Sequence, residues 1–377
     1  MKIGIPRETA PGETRVSLVP ETAAKFVKRG LEVVFEPGCG AAAWYADADY
    51  EKAGAKPGDP FGADLVLKVQ KPAPAEIAKL REGASLVSFL YPLFNLDLVK
   101  ALAARKAGAI AIDMLPRTTL AQSMDALSSQ ANLAGYKAVL VAAERLPKFF
   151  PMLMTAAGTI APARVLVMGA GVAGLQAIGT AKRLGAVVEA TDVRPETKEQ
   201  VESLGGKFLE VTGVEVKKGA GGYAAEQSDE YKRKQAELVA DRIGKADVVI
   251  TTALIPGRKA PVLVTDAQVR TMRPGSVIVD LAAEQGGNVE GTVAGQEVVK
   301  HGVRLVGHPN LPATMAVHSS QLYSRNLEKL LFHLLTKENA MKWDFAEEIT
   351  KGCVVVHQGI VVHPKVKEAM EKEGAKS

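Results

Sequence analysis

The sequence predicts an α/β protein of two parallel-sheet domains, on three observations. Short apolar runs alternate with helical patterns from one end of the chain to the other, as strand–helix–strand units do. The alternation comes as two successive series separated by one long helical segment. The 377 residues suffice for two domains of ordinary size, and 47% hydrophobic with 24% charged residues is an ordinary globular balance that needs no disulfides.

In the first series the strands are expected at 2–6 (KIGIP), 32–36 (EVVFE), 64–69 (DLVLKV), 85–90 (SLVSFL) and 109–115 (AIAIDML). Helices such as PETAAKFVKRG and NLDLVKALAARKAG lie between them, each closed by a glycine. A longer helix is expected over 127–146, ended by Pro147. Its Leu127, Ala131, Ala134, Ala138, Val141 and Ala142 recur at three- and four-residue steps, a small-residue face suited to close helix packing. This helix reads as the bridge between a first domain over 1–126 and a second over 127–310.

The second series places strands at 164–169, 186–192, 207–211, 247–253, 276–282 and 303–308. Six parallel strands are the complement of a complete dinucleotide-binding domain. Residues 213–231, glycine-rich and without apolar period, read as a mobile loop with a lid function. After 309 come a long helix (SSQLYSRNLEKLLFHLLTK) and two short strands about a Gln-Gly turn (CVVVHQGIVVHP). Residues 311–377 are expected to return to the first domain and complete it.

Composition excludes several classes. Cys39 and Cys353 are too few for a disulfide framework, and without CxxC or Cys/His clusters no metal is expected. A reducing, cytoplasmic setting fits. The 47 Lys+Arg against 42 Asp+Glu are spread along the chain with no basic stripe and interleaved aromatics, so no nucleic-acid partner is expected. The start MKIGIPRETAPGETRV lacks the apolar core of a signal peptide, and no window supplies the ~18–20 apolar residues of a membrane span.

RVLVMGAGVAGLQAIGTAKRLGAVVEATD, from 164, is the strongest chemical signal. Gly169, Gly171 and Gly174 form GxGxxG between a strand and a helix, and a second strand ends on Asp192, eighteen residues on. Gly169 permits the tight turn, Gly171 a close approach of pyrophosphate, and Gly174 close packing of the helix whose N-terminus faces the phosphates. Asp192 is placed to accept from an adenosine ribose and would repel a 2′-phosphate, which favours NAD over NADP. Arg194 counts the other way, since it could pair with such a phosphate. Val172, Ala173 and Val193 complete this group of cofactor candidates.

A dehydrogenase of alcohols or amines moves a proton as well as a hydride and needs a general acid or base. Among the histidines only His308, ending the sixth strand, lies where the cleft of this fold is expected. His333, His357 and His363 fall in an amphipathic helix and a hairpin, where packing or surface roles are usual.

Four segments, GIPRETAPGETRVSLVPE, LKVQKP, RTTLAQSMDALSSQANLAGYKAV and PARVLVMGAGVAGLQAI, together resemble the alanine dehydrogenase/nicotinamide nucleotide transhydrogenase superfamily over nearly the whole chain. The third segment and the glycine-motif region resemble the NAD(H)-binding component of proton-translocating transhydrogenases. The resemblance implies two Rossmann-like domains with parallel sheets, linked by long helices. In alanine dehydrogenases a lysine and a histidine bind and protonate the 2-oxo acid; the corresponding positions here are Gln70 and Tyr91. Arg15, the substrate-carboxylate arginine of that branch, is retained, either as a structural residue or facing solvent. Losing both proton-handling groups would cripple an amino-acid dehydrogenase. It costs nothing in transfer between two nicotinamides, where only proximity and orientation matter.

By this resemblance Arg117, Gln122, Asp125 and Ser128 would lie over the nicotinamide end of NAD(H). Gln122 would orient the ribose, Asp125 and Ser128 would hold carboxamide or ribose, and Arg117 would pair with them. A helix cap built from Asp125 and Ser128 is the plainer alternative. Gly222 and Tyr223 in the glycine-rich loop, and Ala253 and Leu254 after the fourth strand, would touch the adenosine side. The resemblance further implies a homodimer that holds NAD(H) and docks from the cytoplasmic side on membrane-spanning and NADP(H)-binding subunits. A stand-alone amino-acid dehydrogenase and a non-catalytic NAD-sensing module are the rival readings.

Overall fold

A computed structural model describes residues 1–211, 213, 228–255, 257–308 and 310–374, with the side chains of 231 and 232 left out. The chain forms two compact units, Met1–Gln130 with Pro312–Ser377, and Ala131–Leu311.

The first unit is built on β1 (Lys2–Ile5), β2 (Glu32–Phe35), β3 (Lys56–Pro57), β4 (Leu65–Leu67), β5 (Ser85–Ser88) and β6 (Gly108–Ala111). These run parallel in the order β3-β2-β1-β4-β5-β6. In the second unit a small antiparallel hairpin, β7 (Leu153–Thr155) and β8 (Gly158–Ile160), precedes the main sheet. That sheet comprises β9 (Arg164–Met168), β10 (Val187–Thr191), β11 (Lys207–Phe208), β12 (Val248–Thr251), β13 (Val277–Asp280), β14 (Glu297–Lys300) and β15 (Val303–Val306). Its order is β11-β10-β9-β12-β13-β15-β14, parallel except for β14 at the edge. Six strands in each unit therefore follow the winding of a Rossmann-like domain, reversing direction beside the first strand. The tail returns as β16 (Val354–His357) and β17 (Ile360–Val361), with β16 antiparallel to β6.

Several expected strands are shorter at their carboxyl ends, for physical reasons. β6 stops at Ala111 instead of 115 because Ile112–Met114 coil into a 3-10 turn. There the Asp113 carboxylate accepts the amides of Leu90 and Tyr91 at 2.8 and 3.0 Å. β4 stops at Leu67, and the Val69 amide donates to the Glu8 carboxylate at 2.5 Å. β3 and β14 carry too few apolar residues to have been expected at all. The loop expected over 213–231 lies mostly outside the described residues, as do Gly222 and Tyr223. Its last three residues are helical, for the helix Asp229–Lys245 begins there.

The bridging helix runs Ala126–Arg145. A Cβ at Gly135 would collide with the Ala173 carbonyl, so glycine there is what lets this helix meet the start of helix Val172–Arg183. Helix Ala316–Leu334 buries Tyr323, Leu327, Leu330, Leu331 and Leu334 in the first unit's core, with Ile3, Ile5 and Phe26. Each such side chain contributes roughly 2 kcal/mol of apolar burial, which explains how a segment so late in sequence holds the first sheet.

Candidate functional site

In the second unit the glycine motif stands at the switch point between β9 and β12. Gly169 has φ +102°, a left-handed value that favours glycine, and a Cβ there would lie 2.5 Å from Thr252 Oγ1. A Cβ at Gly174 would overlap the Gly169 carbonyl oxygen. Gly171 differs: the nearest atom to its Cβ position is Arg194 Nη2, 3.9 Å away. Two glycines therefore serve the packing of the chain. The third leaves bare backbone at the N-cap of the twelve-residue helix Val172–Arg183, whose amides have no side-chain cap. This cradle fits a pyrophosphate.

Asp192 follows β10 and accepts the Ala170 amide at 2.7 Å. It also accepts the Arg194 amide and, from both sides of its carboxylate, the Arg194 guanidinium, each at 2.9 Å. Arg194 is thus engaged by Asp192, and a phosphate reaching for the arginine would meet the carboxylate. Val172, Val193 and Leu254 expose 41%, 42% and 47% of their surface, apolar area that a flat ring could cover. Ala253 and Leu254 leave β12 at the same end as Gly169 leaves β9.

In the first unit, Asp125 caps helix Ala126–Arg145. Its Oδ1 accepts the Ser128 amide at 2.9 Å and its Oδ2 the Ser128 hydroxyl at 2.5 Å. The pair is brought together, and capping accounts for that contact. Gln122 and Arg117 are exposed, Gln122 on a 3-10 turn, Gln122–Met124. The segment is fastened from behind by Asn326, which donates to the Ser123 carbonyl at 3.0 Å and accepts from the Ser129 hydroxyl at 2.7 Å. Sequence reasoning missed Asn326. Its signal was a polar residue inside the apolar stripe of Tyr323, Leu327 and Leu330.

The switch point of the first sheet, between β1 and β4, is filled by the chain's own charges. Lys68, 1% exposed, meets Glu8 at 3.2 Å and Glu76 at 2.9 Å. Arg15 is buried, not facing solvent: Glu13 takes its Nη2 and Nε at 2.6 and 2.8 Å, and its Nη1 donates to Gln130 at 2.8 Å. Gln70 Nε2 donates to Glu13 at 2.8 Å. Burial alone would raise the Glu13 pKa. The hydrogen bonds and charge of Arg15, with the Gln70 amide, outweigh it and hold the carboxyl at about 2. For Glu8 the balance goes the other way, and burial keeps its pKa raised despite Lys68. Burial also lifts Asp113 to about 6, against the amides of Leu90 and Tyr91. His308 pairs with Glu297 of the edge strand β14 at 3.1 Å.

Comparison with known proteins finds relatives along both units. Residues 4–134 match the alanine dehydrogenase/PNT N-terminal domain, and residues 138–364 the alanine dehydrogenase/PNT C-terminal domain. The chain is 50% identical to the first portion of the NAD(P) transhydrogenase subunit alpha of Rhodospirillum rubrum, a separate polypeptide there, over 97% of this chain and 98% of that one. A crystal structure of transhydrogenase from Sinorhizobium meliloti superposes with a TM-score of 0.85 at 45% identity, covering 97% of this chain and 100% of that one. An L-alanine dehydrogenase structure superposes with a TM-score of 0.82 at 26% identity, covering 99% of each chain. On these matches, which span both Rossmann-like domains, the chain belongs to the alanine dehydrogenase/PNT family.

Proposed function

We propose that this chain is the NAD(H)-binding component of a proton-translocating NAD(P) transhydrogenase, giving hydride from NADH to NADP+ held on a partner component. The observation that carries this reading is the occupation of Arg15. Glu13 grips that guanidinium with both oxygens and Gln70 closes over Glu13, so the group that would receive a substrate carboxylate in the alanine dehydrogenase branch already holds one of the chain's own. With Gln70 and Tyr91 in place of lysine and histidine, the proton chemistry of a 2-oxo acid has no side chains to run on. Transfer between nicotinamides releases no proton and depends on orientation alone.

NAD(H), when bound, supplies the hydride at its nicotinamide ring. The residues of this chain bind and aim it. Gly169, Gly171 and Gly174, with Val172 and Ala173, form the cradle for pyrophosphate, and Asp192, Val193 and Arg194 receive the adenosine ribose. Ala253 and Leu254 offer the adenine side an edge. Arg117, Gln122, Asp125 and Ser128 act on the nicotinamide end, as uncharged or mutually paired groups that fix an angle without acting as acid or base.

The assembly is proposed as a homodimer, peripheral on the cytoplasmic side of the membrane through membrane-spanning and NADP(H)-binding partners, to which this reading assigns translocation. Among the described residues no helix is long and apolar enough to cross a membrane. Met152, Met154 and Ile160 around the β7–β8 hairpin expose 57%, 72% and 49%, an apolar surface of the kind that a second copy covers.

The deciding experiment is NADH-to-thio-NADP transfer by the purified chain, with and without an NADP(H)-binding transhydrogenase component. Transfer only in the mixture is expected. NADH oxidation by the chain alone with pyruvate and ammonium, and no transfer in the mixture, would return it to the amino-acid dehydrogenases.

A further inference from the structure

Asn288 is fully buried and uses every polar atom it has. It sits at the end of a turn made by Gly286 and Gly287, both left-handed with φ +100° and +77°. Its side-chain oxygen accepts the Ala253 amide at 3.0 Å, and its side-chain nitrogen donates to the carbonyls of Ala253 and Pro261 at 2.9 and 2.7 Å. Its own carbonyl accepts the amides of Leu263 and Val264 at 2.7 and 3.0 Å. Its amide donates at 2.9 Å to Asp280, whose carboxylate also takes the Ala282 and Val289 amides and the Thr251 hydroxyl. One side chain therefore fastens both feet of the segment that leaves β12 at Ala253 and comes back at Pro261.

We propose that Asn288 is a positioning residue for the adenosine half of NAD(H), holding the Ala253–Leu254 edge at the distance from Gly169 that the nucleotide requires. The inference rests on the NAD(H)-binding reading above. Its physical basis is the match of inventories. Ala253 leaves the sheet with an amide and a carbonyl that no further strand pairs, and an asparagine side chain offers one acceptor and two donors in one plane. It pairs Ala253 as a neighbouring strand would, without adding backbone where the cofactor must pass. Aspartate has the same shape but no donor, so it would turn an oxygen toward two carbonyl oxygens. Alanine would leave three buried backbone groups without partners.

The test uses the full chain together with an NADP(H)-binding transhydrogenase component. For Asn288→Asp, the dissociation constants of NADH and of 5′-AMP are both expected to rise about tenfold. Transfer at saturating NADH is expected to stay within about twofold of wild type, and transfer from reduced nicotinamide mononucleotide, which lacks the adenosine half, to be unchanged. A merely structural role would lower the melting temperature without this split between the two halves of the cofactor. Folded Asn288→Asp protein with wild-type affinity for NADH and 5′-AMP would overturn the proposal. Wild-type protein that binds no NADH would instead overturn the NAD(H)-binding reading. Amide hydrogen exchange in the unsubstituted protein provides an arm independent of any variant. The Ala253 amide is expected to exchange as slowly as those of Val249 and Ile250 in β12, and rapid exchange there would also overturn it.

Discussion

Glu13 holds Arg15 in a two-pronged ion pair that neither side chain shares with solvent, their exposures being 0% and 3%. Breaking one partner of such a pair strands the other as an uncompensated buried charge, which costs roughly 3–5 kcal/mol. Glu13→Gln is therefore expected to lower unfolding stability by about that amount at pH 7, measured in urea. The pH dependence has a definite sign. The Glu13 carboxyl sits at about 2 in the folded chain against an ordinary 4.5, so unfolding takes up a proton between those values. Its contribution is complete above pH 4.5 and is lost as pH falls toward 2. The gap between wild type and Glu13→Gln should be flat near neutrality and shrink across that window. A gap that widened on acidification would contradict the pairing.

Asp125→Asn separates charge from capping. Asparagine caps helices as well as aspartate does, and its amide still offers an acceptor for the Ser128 amide, so little stability should be lost. If the carboxylate orients the nicotinamide end, transfer falls by on the order of a hundredfold, as for a misplaced reactant, while NADH binding changes little. Stopped-flow transfer and fluorescence titration separate the two quantities. Unchanged transfer would leave Asp125 as a cap alone.

The glycines of the cradle predict opposite behaviours. Gly174→Ala puts a methyl group onto the Gly169 carbonyl and should both destabilise the chain and abolish NADH binding. Gly171→Ala meets only Arg194 Nη2 at 3.9 Å, and its φ of −77° suits alanine. That variant should melt as wild type does and still lose NADH affinity, because the methyl would occupy space left for pyrophosphate. Calorimetry beside titration distinguishes the two; full affinity in folded Gly171→Ala would move the phosphates elsewhere.

Asp192→Asn tests the choice of cofactor. The Asp192 carboxylate both takes the ribose position and ties down Arg194. Neutralising it removes the repulsion of a 2′-phosphate and frees the arginine to meet one. NADPH affinity relative to NADH should rise about tenfold, a shift of roughly 1.4 kcal/mol, in competitive titration. An unchanged ratio would show that the preference is set elsewhere.

Most of the architecture could be read from the sequence because parallel strands buried on both faces announce themselves as apolar runs, VVIT at β12 and VIVD at β13 among them. Edge strands do not. Lys56–Pro57 and Glu297–Lys300 keep exposed faces and carry mixed residues. The glycine cradle was legible because its spacing is a local necessity. Asn288 and Asn326 were not, since each bonds to segments distant in sequence, and nothing in the neighbourhood of an asparagine says which carbonyl it will find. Arg15 was visible as a residue but its state was not. Whether an arginine lies open or is already neutralised depended on Glu13 folding back over it, a matter of turn geometry.

The first unit is assembled from two separated stretches, Met1–Gln130 and Pro312–Ser377, and the second lies uninterrupted between them. On a ribosome the first stretch emerges early and then waits while about 180 further residues are made, roughly ten to forty seconds at ordinary rates of synthesis. During that interval β6 has no β16 beside it and the face meant for Tyr323 and Leu327 has no helix. An open strand edge and bare apolar surface are what chaperones bind and what neighbouring nascent chains stick to. The newborn chain should therefore be most vulnerable midway through its own translation, and production at low temperature or with abundant holdase should improve its yield more than any substitution in the cofactor cradle.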